Sequence, residues 1–342
     1  MEEHRSDRRP IPTARDGATP FPSAEEDRLH SHLDPETPQT SSPAYRLGFA
    51  DPDFLLRDEL RAERLQLEFL KPDILQRDRD VVATVAVFGS SRIPAPEEAA
   101  ALLEEAERTA AQSPDDPQSA QRVRAARSLT EKSRYYDEAR RLARMISERR
   151  GQPGNGWTVA PPTETHLCPA GPPEPEHIDA CKLHHGPSSV VVVTGGGPGI
   201  MEAANRGAHE VGAENIGLNI VLPFEQAPNA YITPHLCFNF HYYAIRKMHF
   251  LLRAVALVVF PGGFGTLDEL FEVLTLIQTQ KIKPIPVLMF GRGYWERIID
   301  FHALVEEGVI SPDDLDIFSY VDTAEEAWQR LEPVLTAAAG RS

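Results

Sequence analysis

The stretch from residue 255 to residue 269 constrains the fold of this chain most strongly. An apolar, valine-rich run ends there in Pro261-Gly262-Gly263-Phe264-Gly265, and a helical pattern begins at once. A glycine turn between a strand and a helix lets the backbone approach an anion closely, and the first unpaired N–H groups of the helix point at that anion. The stretch therefore predicts a strand, a phosphate-binding loop and a helix, in that order.

Two further strand ends have the same design. Val190 to Thr194 lead into the glycine loop from Gly195 to Gly199, and Val85 to Phe88 lead into Gly89-Ser90-Ser91-Arg92. In an open parallel sheet, ligands bind in the crevice outside the carboxyl ends of the strands. We therefore expect these three strand ends to converge on one ligand site.

The glycine spacing argues against two common nucleotide-binding fingerprints. The loop from Gly195 to Gly199 lacks the last glycine of G-x-G-x-x-G, and the next predicted strand does not end in Asp or Glu. That combination argues against NAD. The pattern G-x-x-x-x-G-K-[ST] does not occur in the sequence, which argues against a P-loop triphosphatase.

Apolar strand patterns alternate with helical patterns from Val190 onward. Near-continuous apolar strands of this kind are typical of parallel sheets that are covered on both faces. The sequence therefore predicts an α/β fold, a Rossmann-like doubly wound parallel sheet with helices on both faces. Strands are expected at 83–89, 190–194, 216–222, 255–260, 285–290 and 317–321.

The chain divides into a tail, a helical extension and a large domain. Residues 1–50 are rich in Pro, Ser, Thr and charge and bury too little apolar surface to offset their ordering entropy, so we expect a disordered tail. Residues 51–80 form the helical extension, with a helix that should end near Pro72. The nucleotide-binding domain is expected over 81–340, interrupted by an insertion at 109–188 that is partly Gly/Pro-rich.

Charge and cysteine content restrict the environment and the partners. The net charge is −16, whereas contact with a nucleic-acid backbone needs clustered basic residues, so no nucleic-acid partner is expected. Three cysteines do not make a disulfide framework, which favours a reducing cytoplasm. Because no apolar run is long enough to span a bilayer, we expect a soluble, cytoplasmic protein without a membrane partner.

Two motifs in the right order resemble one known family. Pro261 to Glu269 matches the P-G-G-x-G-T-x-x-E signature of the LOG family, the cytokinin riboside 5′-monophosphate phosphoribohydrolases formerly labelled lysine decarboxylases. Arg246-Lys247 stands where that family carries an Arg-Lys pair, and Thr194 to Met201 resembles its first glycine loop. The resemblance covers residues 81–108 and 189 to about 335. It implies a doubly wound fold and a homodimer or higher homo-oligomer.

The resemblance also implies a reaction, which is hydrolysis of the N-glycosidic bond of a nucleoside 5′-monophosphate to free base and ribose 5-phosphate. AMP and N6-substituted adenine nucleotides are the expected substrates, and the sequence does not say which base is preferred. The alternative is a non-catalytic carrier or sensor that binds a nucleotide-like or molybdopterin-like phosphate in the same loop. In a further interpretation, the tail and the insertion bind a protein partner and the core is a scaffold.

The resemblance assigns catalytic roles to Arg246 and Glu269. A carboxylate beside the ribose would stabilise an oxocarbenium-like transition state, and Arg246 would hold the sugar and phosphate or favour departure of the base. The sequence also allows simpler roles. Thr266 to Glu269 fits a capping box, in which Glu269 only closes the first helical turn. Arg246 fits a cationic helix face, shared with His249 and Arg253, that is merely solvated or ion-paired.

The candidate phosphate- and nucleotide-binding residues come from all three strand ends and from the helix around Arg246. Tight turns and helix starts would explain the glycines without any ligand. Asn205 and the loop from Pro223 to Asn229 are expected near the base because of their position. The binding candidates are Ser90, Gly195, Gly196, Gly197, Gly199, Glu202, Lys247, Gly262, Gly263, Gly265 and Thr266.

No cofactor and no metal are expected. The lysines have no sequence context that suits pyridoxal phosphate. The insertion contains ligand types that suit zinc, but their spacing matches no standard finger. These residues are His166, Cys168, His177, Cys181, His184 and His185.

Overall fold

The computed structural model describes residues 22–31, 36–113, 116–148, 189–223 and 227–339. The chain forms two compact units, residues 1–66 and 67–342. The first unit contains helices α1 (Ala24–Ser31) and α2 (Pro52–Leu55) and the start of α3 (Arg61–Arg77). Helix α1 and two 3₁₀ turns, Pro43–Tyr45 and Gly48–Ala50, lie inside the segment expected to be disordered, and disorder of residues 1–21 and 32–35 stays a prediction.

The second unit is built on a seven-stranded sheet in which neighbouring strands run parallel. The strands are β1 (Val81–Phe88), β2 (Ser189–Thr194), β3 (Asn215–Ile220), β4 (Cys237–Phe240), β5 (Ala254–Val259), β6 (Val287–Phe290) and β7 (Phe318–Val321). Their order across the sheet is β4-β3-β2-β1-β5-β6-β7. The chain therefore builds outward from β1 to β4 and then crosses back to β5, which puts the topological switch point beside β1.

Helices connect the strands of this sheet. The helices described after α3 are α4 (Pro96–Gln112), α5 (Pro117–Lys132), α6 (Arg134–Glu148), α7 (Ile200–His209), α8 (Tyr243–Leu251), α9 (Phe264–Gln278), α10 (Arg292–Ile298), α11 (Phe301–Glu306) and α12 (Ala324–Ala339). Helices α5 and α6 lie within the predicted insertion at 109–188, and α6 packs into the core through Tyr136, Leu142 and Ile146. The rest of that segment, including the candidate zinc ligands, lies outside the described residues.

Successive residues of the central strands belong to two different cores. Val85 and Val87 of β1 face one core, whereas Ala86 and Phe88 face the other. Helices α6, α7 and α12 cover the first core, and α8, α9, α10 and α11 cover the second. Burial of both sheet faces confirms the predicted doubly wound fold.

Two elements differ from the sequence expectations. The edge strand β4 was not predicted, because its four residues are too short for a reliable pattern. Helix α3 does not end near Pro72 but continues to Arg77 with the proline inside it. Pro72 is buried inside this helix, although a proline removes one helical hydrogen bond. Among the described residues, no helix is long and apolar enough to cross a membrane.

Candidate active site

The carboxyl ends of β1, β2 and β5 meet at the switch point, as the three strand-to-loop junctions predict. The Ser90 N–H donates to the Pro261 carbonyl at 3.0 Å, and the Ile200 N–H donates to the Ser90 carbonyl at 3.1 Å. The Ser90 hydroxyl accepts from the backbone N–H of Arg92 at 3.1 Å. Ser90 therefore joins all three loops, and its contact with a nucleotide stays a prediction.

The first glycine loop is explained by the protein's own packing. Gly199 has a φ of 70°, and a Cβ there would lie 2.5 Å from the Ser90 carbonyl oxygen. Gly196 also has a positive φ, and a Cβ on Gly195 or Gly197 would lie 2.8 Å from Met201. Gly196 and Gly199 are therefore required by the turn, whether or not a ligand binds, whereas the crowding at Gly195 and Gly197 comes only from the ends of flexible side chains.

The second glycine loop differs, because two of its glycines are not required by the fold. Gly262 is crowded by Thr266, and its carbonyl accepts from the Tyr294 hydroxyl at 2.6 Å. A Cβ added to Gly263 or Gly265 would meet nothing within 4 Å. Both residues are exposed at the start of α9, where backbone N–H groups are available to an anion. The space in front of them is open for a phosphate.

Glu269 is a buried carboxyl whose position is not that of a cap. Helix α9 starts at Phe264 with Gly263 as its N-cap, so the capping-box interpretation of Thr266 and Glu269 is wrong. Glu269 is 6% exposed and has no hydrogen bond to any described residue. Burial raises its pKa to about 7, against the opposing charges of Lys247 and Arg246. This carboxyl titrates in the physiological range without a structural role to explain it.

Arg246 reaches from α8 to strand β3 and to the first glycine loop. Its Nε donates to the Leu218 carbonyl of β3 at 2.7 Å, and Nη2 approaches the Gly195 carbonyl at 3.5 Å. Burial lowers the pKa of Arg246, the nearby charge of Glu269 acts in the opposite direction, and a guanidinium stays charged in any case. A simple solvated surface role for Arg246 is therefore wrong, since the side chain is half-buried against the first glycine loop.

Lys247 points to α9 rather than into the loops. Its Nζ lies 2.9 Å from Asp268 Oδ2 and 3.0 Å from Glu272 Oε2. Burial acts to lower the pKa of Lys247, but its hydrogen bond to Asp268 and its ion pair with Glu272 outweigh burial and leave the pKa raised. Lys247 thus bridges α8 and α9, and its predicted contact with the nucleotide stays a prediction.

The other two members of the predicted cationic face have partners within the fold. Arg253 Nη2 donates to Asp73 Oδ1 at 2.6 Å. His249 is 3% exposed and packs between Phe69 and Phe240, with ring centroids 5.3 Å and 5.5 Å away. Arg253 is thus ion-paired within the protein, as the simpler interpretation of this helix face predicts, and His249 is part of the interior.

Glu202 and Asn205 of α7 also have partners within the fold. The Tyr136 hydroxyl of α6 donates to Glu202 Oε1 at 2.8 Å. Asn205 is fully buried, accepts from the Thr194 hydroxyl at 2.7 Å and donates to Asn215 Oδ1 at 2.8 Å. A nucleotide contact of Glu202 stays a prediction, whereas Asn205 lies in the interior rather than at an open base site.

A hydrogen-bond network that sequence reasoning missed continues from Asn205 to the glycine loop. Asn229 Nδ2 donates to Asn205 Oδ1 at 2.9 Å and to the carbonyls of Gly196 and Gly197 at 3.2 and 3.1 Å. The network fixes the first glycine loop to β2 and β3. Its one signal in the sequence is the presence of polar residues, such as Thr194 and Asn205, at positions with an apolar pattern.

Residues 201–331 match a family model described as "Possible lysine decarboxylase". The cytokinin riboside 5′-monophosphate phosphoribohydrolase LOG3 of Arabidopsis thaliana is 32% identical over 146 residues, 42% of this chain and 66% of the relative. LOG4 of the same plant is 31% identical with the same coverage. The probable enzyme LOGL5 of Oryza sativa subsp. japonica is 32% identical over 42% of this chain and 58% of the relative. The chain thus spans less than two thirds of the length of these relatives.

Two solved structures align at low similarity. The X-ray structure of TM1055 covers 73% of this chain and 99% of its own chain at 19% identity, with a TM-score of 0.38. The molybdenum cofactor carrier protein of Chlamydomonas reinhardtii covers 74% of this chain and 99% of its own at 15% identity, with a TM-score of 0.36. Neither score supports an argument about function.

Proposed function

We propose that this protein is a nucleoside 5′-monophosphate phosphoribohydrolase. The proposal proceeds from its resemblance to the LOG family, which the family model and the curated relatives confirm. Its proposed substrates are AMP or an N6-substituted adenine nucleotide, and its products are the free base and ribose 5-phosphate. The relatives' names support this class of reaction. The observation that carries the proposal is Glu269, a buried carboxyl with a pKa of about 7 and no hydrogen-bond partner among the described residues.

The start of α9 suits a 5′-phosphate. Gly263 and Gly265 leave open space at the helix N-terminus, and its free N–H groups and dipole favour an anion there. Glu269 lies four residues after Gly265, roughly 6 Å along the helix axis. A ribose 5-phosphate is long enough to extend from the helix start to this carboxyl.

In the proposed reaction, the C1′–N bond breaks and its electron pair leaves with the base, which takes up a proton. Water then forms a bond to C1′ and loses a proton. The Glu269 carboxylate stabilises the positive charge that develops on the ribose and orients that water. Arg246 is placed by its contacts with Leu218 and Gly195 to act on the phosphate, the sugar or the departing base.

Replacement of the carboxyl tests the proposal. Purified protein is incubated separately with AMP, isopentenyladenosine monophosphate, GMP and CMP, and released base and ribose 5-phosphate are separated by chromatography. We expect Glu269→Gln to lower kcat by about 100-fold or more, because the amide cannot stabilise a cation. Nucleotide affinity should change little, since the phosphate site is intact.

The matched control is Glu104→Gln, the same chemical change at an exposed position of α4, which should leave kcat unchanged. Equal activity of Glu269→Gln and the wild type would contradict the proposal. Nucleotide binding by the wild type without any released base would favour the carrier or sensor instead. The four substrates rank the bases in the same experiment.

We also propose that the protein forms a homodimer, as the family resemblance implies. Apolar side chains are exposed beside the candidate site, with Phe264 92% exposed and Phe271 39% exposed on α9. Met248 on α8 and Leu252 directly after this helix are 46% and 47% exposed. A surface of this kind is typical of protein contacts, and a second copy of the chain is the proposed occupant.

A further inference from the structure

Helix α3 holds the start of α8 through one side chain. Glu68 Oε1 accepts from the His241 N–H at 2.8 Å, and Oε2 accepts from the Tyr242 N–H at 3.0 Å. These are the two backbone N–H groups directly before α8, and Tyr242, its N-cap, provides no side-chain cap. Glu68 lies 173 residues from His241 in sequence, so a distant helix accepts from the N-cap N–H, as a Glu in the first helical turn does in a capping box.

The same helix also contacts the last turn of α8 and the residues directly after it. Phe69 packs on His249 with ring centroids 5.3 Å apart. Asp73 Oδ1 accepts from Arg253 Nη2 at 2.6 Å, and this contact lowers the pKa of Asp73. All of these residues belong to the unit that contains the sheet. Helix α3 therefore holds α8 at both of its ends.

The position of α8 decides where Arg246 lies. The helix has nine residues, and isolated helices of that length are unstable in water, so tertiary contacts must hold it in place. Arg246 extends from the first turn of α8, close to the two N–H groups that Glu68 accepts from. A displacement of this turn would move the guanidinium away from the Leu218 and Gly195 carbonyls.

We propose that Glu68 is a positioning residue for Arg246, acting through the first turn of α8. The inference rests on the proposed function, because it concerns the orientation of a residue in that site. Helix α3 lies outside residues 201–331, so the match to the family model does not include it. The chain thus uses its helical extension to orient a residue of the site.

The choice of glutamate fits the geometry. A carboxylate offers two acceptor oxygens to two N–H groups, and charged acceptors make stronger hydrogen bonds than neutral ones. Glutamine has a single acceptor oxygen, so Glu68→Gln keeps the size of the side chain and loses one of the two bonds. Alanine loses both. The two variants therefore form a graded series.

The experiment compares Glu68→Ala and Glu68→Gln with the wild type. Three quantities are measured: kcat and KM for the best substrate of the wild type, amide hydrogen exchange of residues 241–251, and the midpoint of thermal unfolding. We expect Glu68→Ala to lower kcat about tenfold with a smaller change in KM, because small misplacements of catalytic groups are costly. Exchange in 241–251 should increase, and Glu68→Gln should lie in between.

Glu63→Gln is the matched control, because Glu63 is exposed on the same helix and should change neither kcat nor exchange. Unchanged kcat and unchanged exchange in the Glu68 variants would overturn the proposal. So would an increase of exchange spread evenly over the sheet, since that indicates general destabilisation. If Glu68→Ala does not fold, Glu68→Gln provides the same test.

Failure of the proposed function is distinguishable from failure of this inference. A wild type that releases no base rejects the function, while the exchange of residues 241–251 still shows whether Glu68 holds α8. A wild type that is active, with Glu68 variants that keep its kcat and exchange, rejects the positioning role alone.

Discussion

Glu269 and Lys247 lie on neighbouring helices, and burial disfavours the charge of both. Lys247 keeps its charge because Asp268 accepts a hydrogen bond from it and Glu272 forms an ion pair with it, and its pKa is raised. Glu269 has no such partner among the described residues, so burial dominates and its pKa rises to about 7. Two oppositely charged residues thus have different roles, one structural and one available for chemistry.

The pKa of Glu269 predicts opposite pH dependences for activity and stability. If the carboxylate is the active form, kcat/KM should increase as the pH rises through about 7. Since the folded pKa exceeds the unfolded value of 4.5, the folded state binds the extra proton, and stability should fall as the pH rises from 4.5 to about 7. The loss is at most about 3 kcal/mol. Thermal unfolding and initial rates from pH 5 to 8 measure both.

Glu269→Gln provides the control for this pH dependence, because it should remove the fall in stability across the same interval. A wild type whose stability and rate do not change between pH 5 and 8 would show that Glu269 does not titrate there.

The sequence could not decide between a cap and a catalytic role for this residue. Glu269 can be part of a capping box only if Thr266 is the N-cap of the helix. The helix instead begins at Phe264, and sequence patterns define helix starts poorly.

At the scale of the elements, the two glycine loops perform different tasks. Gly196 and Gly199 of the loop after β2 are needed for a turn, whereas Gly263 and Gly265 of the loop after β5 leave open space. The sequence predicted both loops but could not separate these tasks, because a crowded and an open glycine look the same in a pattern. The distinction requires the position of Ser90, Met201 and the other side chains around each Cα.

Two alanine substitutions separate the two tasks. Gly265→Ala should keep or raise stability, by up to about 1 kcal/mol, because alanine is the better helix former and its Cβ meets no atom. Its nucleotide affinity should fall at least tenfold if the phosphate lies there. Gly199→Ala should lower stability by about 2 kcal/mol or more, because of its positive φ and the Ser90 carbonyl. Urea unfolding and calorimetric titration with AMP measure these effects.

Unchanged affinity in Gly265→Ala would place the phosphate elsewhere.

The positions of helices also depend on contacts between residues that are distant in the sequence. The helix around Arg246 was predicted, but its dependence on α3 was not, since Glu68 and His241 are far apart in the sequence. A break of α3 near Pro72 was expected from local rules alone and does not occur.

At the scale of the whole molecule, the parallel sheet and the convergence of three strand ends were predictable from apolar runs and glycine loops. Parallel strands that are buried on both faces have near-continuous apolar sequences, and the carboxyl ends of parallel strands all lie at the same end of the sheet. The edge strand β4 and the core position of α6 were not predicted. Short edge strands and helices of mixed polarity carry weak local signals.

The proposed homodimer predicts a specific change in molecular mass. Phe264→Asp places a charge on the most exposed aromatic residue beside the site and should convert the dimer to a monomer. Val309→Asp is the matched control, because Val309 is 67% exposed and lies outside α8 and α9, so the dimer should persist. Light scattering coupled to size-exclusion chromatography measures the mass. A wild type that is monomeric at micromolar concentration would reject the dimer.

The central place of β1 has a consequence for the order of folding. β1 pairs with β2 on one side and with β5 on the other, and the second pairing joins Thr84 to Ala254. Contacts between such distant residues require costly loop closure and make folding slow. During synthesis, β1 keeps an unpaired apolar edge until β5 leaves the ribosome, and such edges promote aggregation. We therefore expect the nascent chain to need chaperone protection until β5 has been added, and to bind no nucleotide before then.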